Sequence, residues 1–249
     1  MQTDETKCIG CGKCLPFCPV QARSFGRVAN GGRTYVVIDK EKCVECGVCE
    51  RAGVCPVDAM HMEELPWPRM ARAILSNPLI EFKGTGVPGR GTEEIKTNEV
   101  TGRVKYGRIG VGIEMGRPGI SSRWTDVEKV CMAVAKLGVE FCEGNPITHF
   151  MVDKKTGKLD PEVLGEASLS AIVEFEMAEE KLPELFRLLK EEVNDEISTV
   201  YTFEIAARLK PDGSTTVLKA IQESGIPMLP VSKNNLGLGR PRFVEEVTP

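Results

Sequence analysis

Eight of the ten cysteines lie in two short runs within the first 55 residues, and this feature constrains the fold more than any other. The first run is Cys8, Cys11, Cys14 and Cys18, followed by Pro19; the second is Cys43, Cys46, Cys49 and Cys55, followed by Pro56. Thiolates three residues apart on a tight loop can turn toward one face of a cube of irons, and a more distant Cys-Pro supplies the remaining ligand. The pattern therefore predicts redox-active iron sites.

The two runs resemble each other beyond the cysteines, since Cys18-Pro-Val-Gln-Ala22 parallels Cys55-Pro-Val-Asp-Ala59. This layout over residues 1–62 resembles the bacterial-type ferredoxin with two 4Fe-4S clusters. In that family the fourth cysteine of each run ligates the other cluster. The resemblance implies one cluster on Cys8, Cys11, Cys14 and Cys55, and another on Cys43, Cys46, Cys49 and Cys18. We also expect a short helix after each Cys-Pro, and close approach of backbone N–H groups to sulfur at Gly10, Gly12 and Gly47.

The second run departs from the symmetric pattern, because the five residues from Glu50 to Val54 separate Cys49 from Cys55. One interpretation is a local bulge that changes the hydrogen bonds beside Cys49. The other is a second cluster that lacks a ligand or holds three irons. Structural zinc sites normally use C-x2-C pairs, and a disulfide framework needs an oxidising compartment, so both fit this pattern less well.

Composition limits the other function classes. The chain has 249 residues, of which 41% are hydrophobic and 27% charged, as expected of a soluble protein with two domains. The segment from Met1 to Lys7 is polar and unlike a signal peptide, and no apolar run approaches the roughly 18 residues that span a membrane. The formal charge of -4 gives no indication of nucleic-acid binding. Thiols kept for iron favour the reducing cytoplasm. Because exposed clusters react with oxygen, the pattern also favours an anaerobic organism.

Three segments differ in composition. Residues 1–62 form the expected ferredoxin domain, residues 63–100 a Pro/Gly-rich docking linker, and residues 101–249 an α+β domain with an extended C-terminal tail. In the first segment we expect a hairpin of Ser24–Val28 and Thr34–Asp39 around a turn at Asn30-Gly31-Gly32, with a closing strand at Met60–Glu63. In the linker we expect a helix from Arg69 to Leu75, and docking of Leu79, Ile80 and Phe82.

The third segment repeats one pattern of elements. Strands are expected at Val104–Met115, Pro146–Asp153, Ala171–Met177, Val200–Leu209 and Met228–Ser232. Helices are expected at Asp126–Leu137, capped by Thr125 with Glu128, at Pro183–Val193, and at Ser214–Glu223. This succession predicts an α+β fold of the ferredoxin-like, or split βαβ, type, a name unrelated to iron. The fold alone implies no function.

The segment Gly110–Gly119 is the richest in glycine. Its spacing is one residue longer than the dinucleotide-binding fingerprint, and the simpler interpretation is a strand that another backbone approaches closely. The alternative is a cofactor or anion contact made by Gly110, Gly112, Gly116 and Arg117, with Arg123 adding positive charge. The segments Gly89–Arg103 and Gly112–Gly119 look similar to the cluster-bearing half of 6-hydroxynicotinate reductase-type proteins. That resemblance implies an electron-transfer component whose catalytic part is a separate polypeptide.

The remaining candidate ligands carry weaker predictions. Cys131 and Cys142 are expected in the core as small hydrophobic residues. Neither has a C-x2-C neighbour, so a third metal site is not expected. His61 is expected on a strand surface and His149 in a strand. Hydrolytic motifs are not found in the sequence.

The cysteines thus predict a one-electron relay that passes low-potential electrons through two 4Fe-4S clusters to a protein redox partner or oxidoreductase subunit. One alternative is a reductase whose second domain binds a flavin or a small substrate. Another is an iron-sulfur sensor whose partner binding follows the oxidation state of its clusters.

Overall fold

The chain combines a cysteine-rich N-terminal part, a short connecting segment and a four-stranded sheet packed against helices. The computed structural model describes residues 1–27, 32–89, 102–116, 121–210 and 212–228. Over these residues, helix and strand are mixed, as an α+β fold requires. None of the helices in these ranges is both long enough and apolar enough to cross a membrane.

Four short strands frame the N-terminal part: β1 (Gln2–Thr3), β2 (Arg23–Arg27), β3 (Thr34–Ile38) and β4 (Met60–His61). They form two antiparallel pairs, β1 with β4 and β2 with β3. The β-branched and aromatic residues of β3 favour a strand, and Val36 at its centre is buried. The predicted hairpin and closing strand are therefore confirmed, while Val28, Asn30 and Gly31 lie outside the described residues.

Short helical turns precede the Cys-Pro pairs instead of following them. A 3-10 turn covers Leu15–Phe17, and α1 covers Val48–Arg51. The helices predicted after each Cys-Pro are wrong, because Gln21 and Asp58 adopt left-handed φ values of 51° and 48° that turn the chain back.

The connecting segment carries α2 (Met70–Ser76), followed by an antiparallel pair of β5 (Glu81–Phe82) and β6 (Val87–Pro88). The predicted helix is confirmed one residue further along, and it ends before Asn77-Pro78, where the residue preceding proline is extended. Ile74 and Leu75 of α2 belong to the same hydrophobic core as the sheet.

The docking predictions for this segment hold in part. Ile80 and Phe82 pack against that core as expected. The prediction for Leu79 is wrong, since its side chain is 73% exposed. Asn77 Oδ1 accepts a hydrogen bond from the Leu79 backbone N–H at 3.1 Å, and the resulting turn directs Leu79 outward.

Eight further strands follow. They are β7 (Arg108–Met115), β8 (Ser122–Arg123), β9 (Glu140–Phe141), β10 (Met151–Asp153), β11 (Lys158–Leu159), β12 (Ala167–Ser168), β13 (Ala171–Ala178) and β14 (Tyr201–Ala207). Four of them form an antiparallel sheet in the order β14–β7–β13–β9. In this sheet Ile113 lies opposite both Val173 and Phe203. Two small ribbons, β8 with β12 and β10 with β11, lie beside it.

Helices alternate with these strands. They are α3 (Trp124–Ala135), α4 (Pro146–His149), α5 (Leu182–Leu188), which continues as a π-helix over Leu189–Val193, and α6 (Thr216–Ser224). Single 3-10 turns cover Pro161–Val163 and Glu179–Lys181. The apolar faces of α3 and α5 share one core with the sheet. Thr215 accepts a hydrogen bond from Val217 at the start of α6, and Gly225 with φ 69° ends it.

Two local predictions in this part are wrong. Residues 146–149 form a helix rather than a strand, because the Asn145 side chain caps it by accepting from the Ile147 N–H, and Pro146 occupies its first turn. Thr125 does not cap α3, which already begins at the buried Trp124. Glu128 instead accepts a hydrogen bond from the Leu159 N–H at 3.1 Å. The strand predicted from Met228 to Ser232 lies almost wholly outside the described residues, and Met228 itself is not in a strand.

Candidate metal centre

The cysteines of the two runs line two separate pockets. The first, called here the inner pocket, has an empty volume of about 320 Å³ and is lined by Cys18, Cys43, Cys46 and Cys49. The second, the outer pocket, has a similar volume of about 280 Å³ and is lined by Cys8, Cys11, Cys14 and Cys55. Each pocket thus combines three cysteines of one run with the last cysteine of the other.

The two pockets differ in their contact with solvent. Cys43, Cys46 and Cys49 are all buried, and only Cys18 of the inner set is partly accessible. In the outer pocket Cys11 is exposed, and the neighbouring Ile9 is 56% exposed. A group held in the outer pocket therefore lies nearer the protein surface.

The turns after both Cys-Pro pairs bring backbone donors to sulfur. The N–H groups of Ala22 and Ala59 donate to Sγ of Cys18 and Cys55, at 3.1 and 3.2 Å. The N–H of Val36 on β3 reaches Sγ of Cys8 at 3.5 Å. Such bonds hold the sulfurs in place and stabilise negative charge on them.

Glycines between the cysteines allow this close packing. Gly10, Gly12 and Gly47 adopt φ values of 68°, 70° and 67°, which side-chain-bearing residues rarely adopt. At Gly10 an added Cβ would lie 2.5 Å from the carbonyl oxygen of Thr34, so only glycine fits. The approach of backbone N–H groups to sulfur at these three glycines stays a prediction, since the N–H donors described above belong to Ala22, Ala59 and Val36.

The inner pocket disfavours the ionised, thiolate form of its cysteines when no positive charge is close to them. Burial raises the pKa of Cys43, with the nearby Glu45 as a second cause, and burial also raises the pKa of Cys46. The pKa of Cys49 is raised by burial to about 11. Four thiolates can be ionised together in such a place only where positive charge compensates them, and iron supplies that charge. The donor set therefore fits an iron-sulfur cluster.

The described cysteines of the two pockets do not form single-ion sites. Among the described residues, no three His, Cys, Asp or Glu side chains are close enough together to hold one metal ion. A zinc ion would require thiolates about 2.3 Å from a common centre. A cube of four irons spreads its ligands further apart, which agrees with the two pockets.

The longer second run contains one turn of helix, α1, which begins before Cys49 and ends at Arg51. Cys49 lies within α1 and remains buried, and Gly53 with φ 62° reverses the chain after it. Arg51 of the same turn donates from Nη1 to Oδ1 of Asn77 at 2.9 Å. The extra length thus brings α1 into contact with the end of α2, while Cys49 keeps its place in the inner pocket.

The glycine-rich candidate site lies in the sheet. Gly110 and Gly112 belong to the central strand β7, where a Cβ on Gly112 would lie 3.2 Å from the Glu204 side chain. Gly116 has φ 78°, and the backbone of Ser121 is 2.7 Å from where its Cβ would be. Arg117 lies outside the described residues. The role of these residues in cofactor binding stays a prediction, as does the resemblance to 6-hydroxynicotinate reductase-type proteins.

The other candidate ligands do not line the two cysteine pockets. Cys131 and Cys142 are fully buried, as predicted, and Arg103 contacts Sγ of Cys142. The ring of His61 on β4 lies 2.6 Å from the Gln2 amide nitrogen, at the exposed edge predicted for it. His149 lies in α4 rather than in a strand, with Nε2 at 2.8 Å from the Glu143 carbonyl oxygen.

Sequence reasoning missed the charged residues around the inner pocket. Arg23 lines this pocket, and the fully buried Glu45 lies between Cys43 and Cys46 with Arg69 as its partner at 2.5 Å. The available signal was the repeat itself, because Arg23 follows Cys-Pro-Val-Gln-Ala where Met60 follows Cys-Pro-Val-Asp-Ala.

Comparisons with known proteins agree with the cysteine geometry. Residues 7–64 match the family model described as 4Fe-4S dicluster domain. An uncharacterized ferredoxin of Methanocaldococcus jannaschii is 40% identical over 57 residues, which cover 23% of this chain and 69% of that protein. An iron-sulfur subunit of the CoB–CoM heterodisulfide reductase from the same organism is 29% identical over 75 residues, covering 25% of this chain and 11% of that protein. No solved structure gives a significant match.

Proposed function

This chain belongs to the 4Fe-4S ferredoxin family, and on that premise we propose that it relays single electrons through two clusters to a partner oxidoreductase. Iron-sulfur electron transfer follows from the family. The number of clusters, their ligands and the partner are our proposal. The observation that carries it is the sorting of eight cysteines into two pockets of four.

The proposed ligands are those that the two pockets bring together. Cys8, Cys11, Cys14 and Cys55 would hold one cluster, and Cys18, Cys43, Cys46 and Cys49 the other. The exchange of the fourth cysteine between the runs supports this assignment, since that exchange is typical of two-cluster ferredoxins. When bound, a 4Fe-4S cluster supplies a one-electron couple.

The protein's own residues hold and insulate the two sites. The backbone N–H groups of Ala22 and Ala59 stabilise negative charge on the sulfurs of the two Cys-Pro cysteines. Buried Val36 and Met60 beside the outer pocket, and Val44 beside the inner one, exclude water. The exposed Cys11 makes the outer site the natural point of electron exchange with another protein.

We further propose that residues 1–62 form the cluster domain, residues 63–100 the docking linker, and residues 101–249 a split βαβ domain. In this proposal the split βαβ domain binds the redox partner. The antiparallel strand order β14–β7–β13–β9, with a helix after β7 and another after β13, supports this fold. The relative named as part of a heterodisulfide reductase supports a partner that is itself a multi-subunit redox enzyme.

Iron and sulfide analysis of anaerobically prepared protein tests the proposal, together with electron paramagnetic resonance (EPR) of the dithionite-reduced form. We expect about eight irons per chain, and signals from two interacting clusters. The Cys55→Ser variant should lose the signal of the outer site while the inner site persists. The Cys131→Ser variant is the matched control and should keep all the iron. Zinc in place of iron, or equal loss in both variants, would contradict the proposal.

A further inference from the structure

Arg23 is a buried arginine beside the inner pocket, and no carboxylate of the described residues pairs with it. Its side chain lines the pocket that contains Cys18, Cys43, Cys46 and Cys49, and only 8% of the residue is exposed. Nη1 donates to the thioether sulfur of Met60 at 3.3 Å, a weak acceptor. Nη2 is buried and has no hydrogen-bond partner among the residues that the structure describes.

The other arginines around the inner pocket have partners. Arg69 is paired with Glu45, and Arg51 donates to Asn77. Within the part of the chain that the structure describes, Arg23 forms no such pair. Burying a lone guanidinium is unfavourable, because charge in a low-dielectric surrounding needs an opposite charge nearby. An anionic group in the inner pocket meets that need.

The two halves of the internal repeat differ at the position of Arg23, and only one half carries a charge there. Arg23 and Met60 occupy equivalent positions, each directly after the alanine whose N–H donates to a cysteine sulfur. Met60 lines the outer pocket, so the equivalent position there is neutral. Lys13 also lines the outer pocket, but its side chain is exposed and its charge is screened by water.

We propose that Arg23 is the counter-charge of the inner site and makes that site easier to reduce than the outer one, an inference that rests on the proposed function. A 4Fe-4S cluster with four thiolates carries about −2 when oxidised and one more negative charge when reduced. A fixed positive charge in a buried position favours the more negative state. With both clusters bound, transfer of one electron from the outer to the inner site would oxidise the group held by Cys8, Cys11, Cys14 and Cys55 and reduce the group held by Cys18, Cys43, Cys46 and Cys49, without a proton.

An EPR-monitored redox titration tests the proposal with three variants. Arg23→Met gives both halves of the repeat the same neutral residue, Arg23→Lys keeps the charge, and Arg27→Met removes an exposed arginine from the same strand. In Arg23→Met we expect the oxidised-to-reduced ratio of one cluster to rise about tenfold at a fixed solution potential. For a one-electron couple this corresponds to a reduction potential lower by about 59 mV. The other cluster should keep its potential, and Arg23→Lys and Arg27→Met should resemble the wild type.

Iron content separates this inference from the proposed function. A wild-type protein with far fewer than about eight irons would contradict the two-cluster proposal itself. Full iron content in Arg23→Met with unchanged potentials would overturn the role of Arg23 alone, as would an equal shift in Arg23→Lys. If Arg23→Met does not retain the inner cluster, the iron content of Arg23→Lys is the deciding measurement. Retention of the inner cluster in Arg23→Lys would support the counter-charge role of Arg23, and loss of the cluster would overturn that role.

Discussion

The guanidinium of Arg72 donates a hydrogen bond from Nη1 to the backbone carbonyl oxygen of Cys43 at 2.9 Å. The same nitrogen donates to the carbonyl oxygen of Glu41 at 2.8 Å, and Nε contacts the carboxylate of Glu166. Arg72 is buried in α2, which shares the core of the sheet. A single side chain therefore connects the loop that carries an inner-pocket cysteine to the second half of the chain.

Replacement of Arg72 by methionine should destabilise the protein strongly. The variant leaves the nearly buried Glu166 carboxylate and two carbonyl oxygens without their donor, while methionine still fills the space. Breaking one partner of such a pair costs about 3–5 kcal/mol. Urea unfolding followed by circular dichroism, under anaerobic conditions, measures this loss.

Arg187→Met is the matched control for that experiment. Arg187 forms a helical pair with Glu191 at 3.0 Å, and both side chains are more than half exposed, at 56% and 57%. Exposed pairs of this kind contribute roughly 0–1 kcal/mol. Equal losses in the two variants would show that Arg72 does not connect the two halves.

Gly10→Ala should damage the outer site far more than Gly53→Ala. Both glycines have positive φ, 68° and 62°, so both variants carry the backbone strain of about 1–2 kcal/mol expected for alanine. Only at Gly10 would the new Cβ also meet a backbone oxygen, that of Thr34 at 2.5 Å, whereas nothing lies within 4 Å at Gly53. Iron content and thermal stability of the two variants compare these effects. Similar iron loss in both would argue against close packing at Gly10.

The sequence predicted the long, regular elements because they carry a clear period. β13, α6 and the hairpin of β2 and β3 lie within a few residues of their predicted positions. β9 was missed, because two residues, Glu140 and Phe141, give no alternation to detect. The apolar residues at 146–153 predict a strand, whereas the Asn145 cap and Pro146 in the first turn produce a helix at residues 146–149.

For the candidate site, the resemblance to two-cluster ferredoxins predicts which cysteines act together, a prediction that iron analysis of the variants will test. It did not identify Arg23 or Arg72, because their roles depend on burial and on contacts over long stretches of sequence. Arg72 meets Glu166, 94 residues further along the chain. A pattern of residue types predicts local secondary structure. Contacts between residues far apart in the sequence, such as Arg72 with Glu166, form only when the chain folds.

Cys131 should resist alkylation until the protein unfolds. Its side chain is fully buried in α3, and burial raises the pKa of its thiol well above the ordinary value. In protein stripped of iron by a chelator but not denatured, iodoacetamide should modify the exposed Cys11 first. Mass spectrometry of digested samples gives the order of labelling. Rapid labelling of Cys131 in the iron-loaded protein would show that the core around α3 opens readily.

Asp126→Asn should lower stability by an amount that does not depend on pH near neutrality. Oδ2 of Asp126 accepts four hydrogen bonds from Ser198 and Thr199, at 2.7 to 3.1 Å. Burial raises the pKa of this carboxyl, but the hydrogen bonds from Thr199 and Ser198 outweigh it and bring the net pKa below its ordinary value. A hydrogen bond to a charged acceptor contributes at most about 1.5–3 kcal/mol to stability. We expect Asp126→Asn to lower the free energy of unfolding by about that amount in total.

The sign of the pH dependence follows from the lowered pKa. A group whose pKa is lower in the folded state stabilises the fold above its unfolded pKa, and this contribution is lost as pH falls through the folded value. From about pH 8 to about pH 5 the carboxylate is ionised in both states, so the difference between wild type and Asp126→Asn should stay constant. Asp153→Asn, at the exposed end of β10, is the control and should change stability little. A difference that disappears between those pH values would mean that the hydrogen bonds do not hold Asp126 ionised.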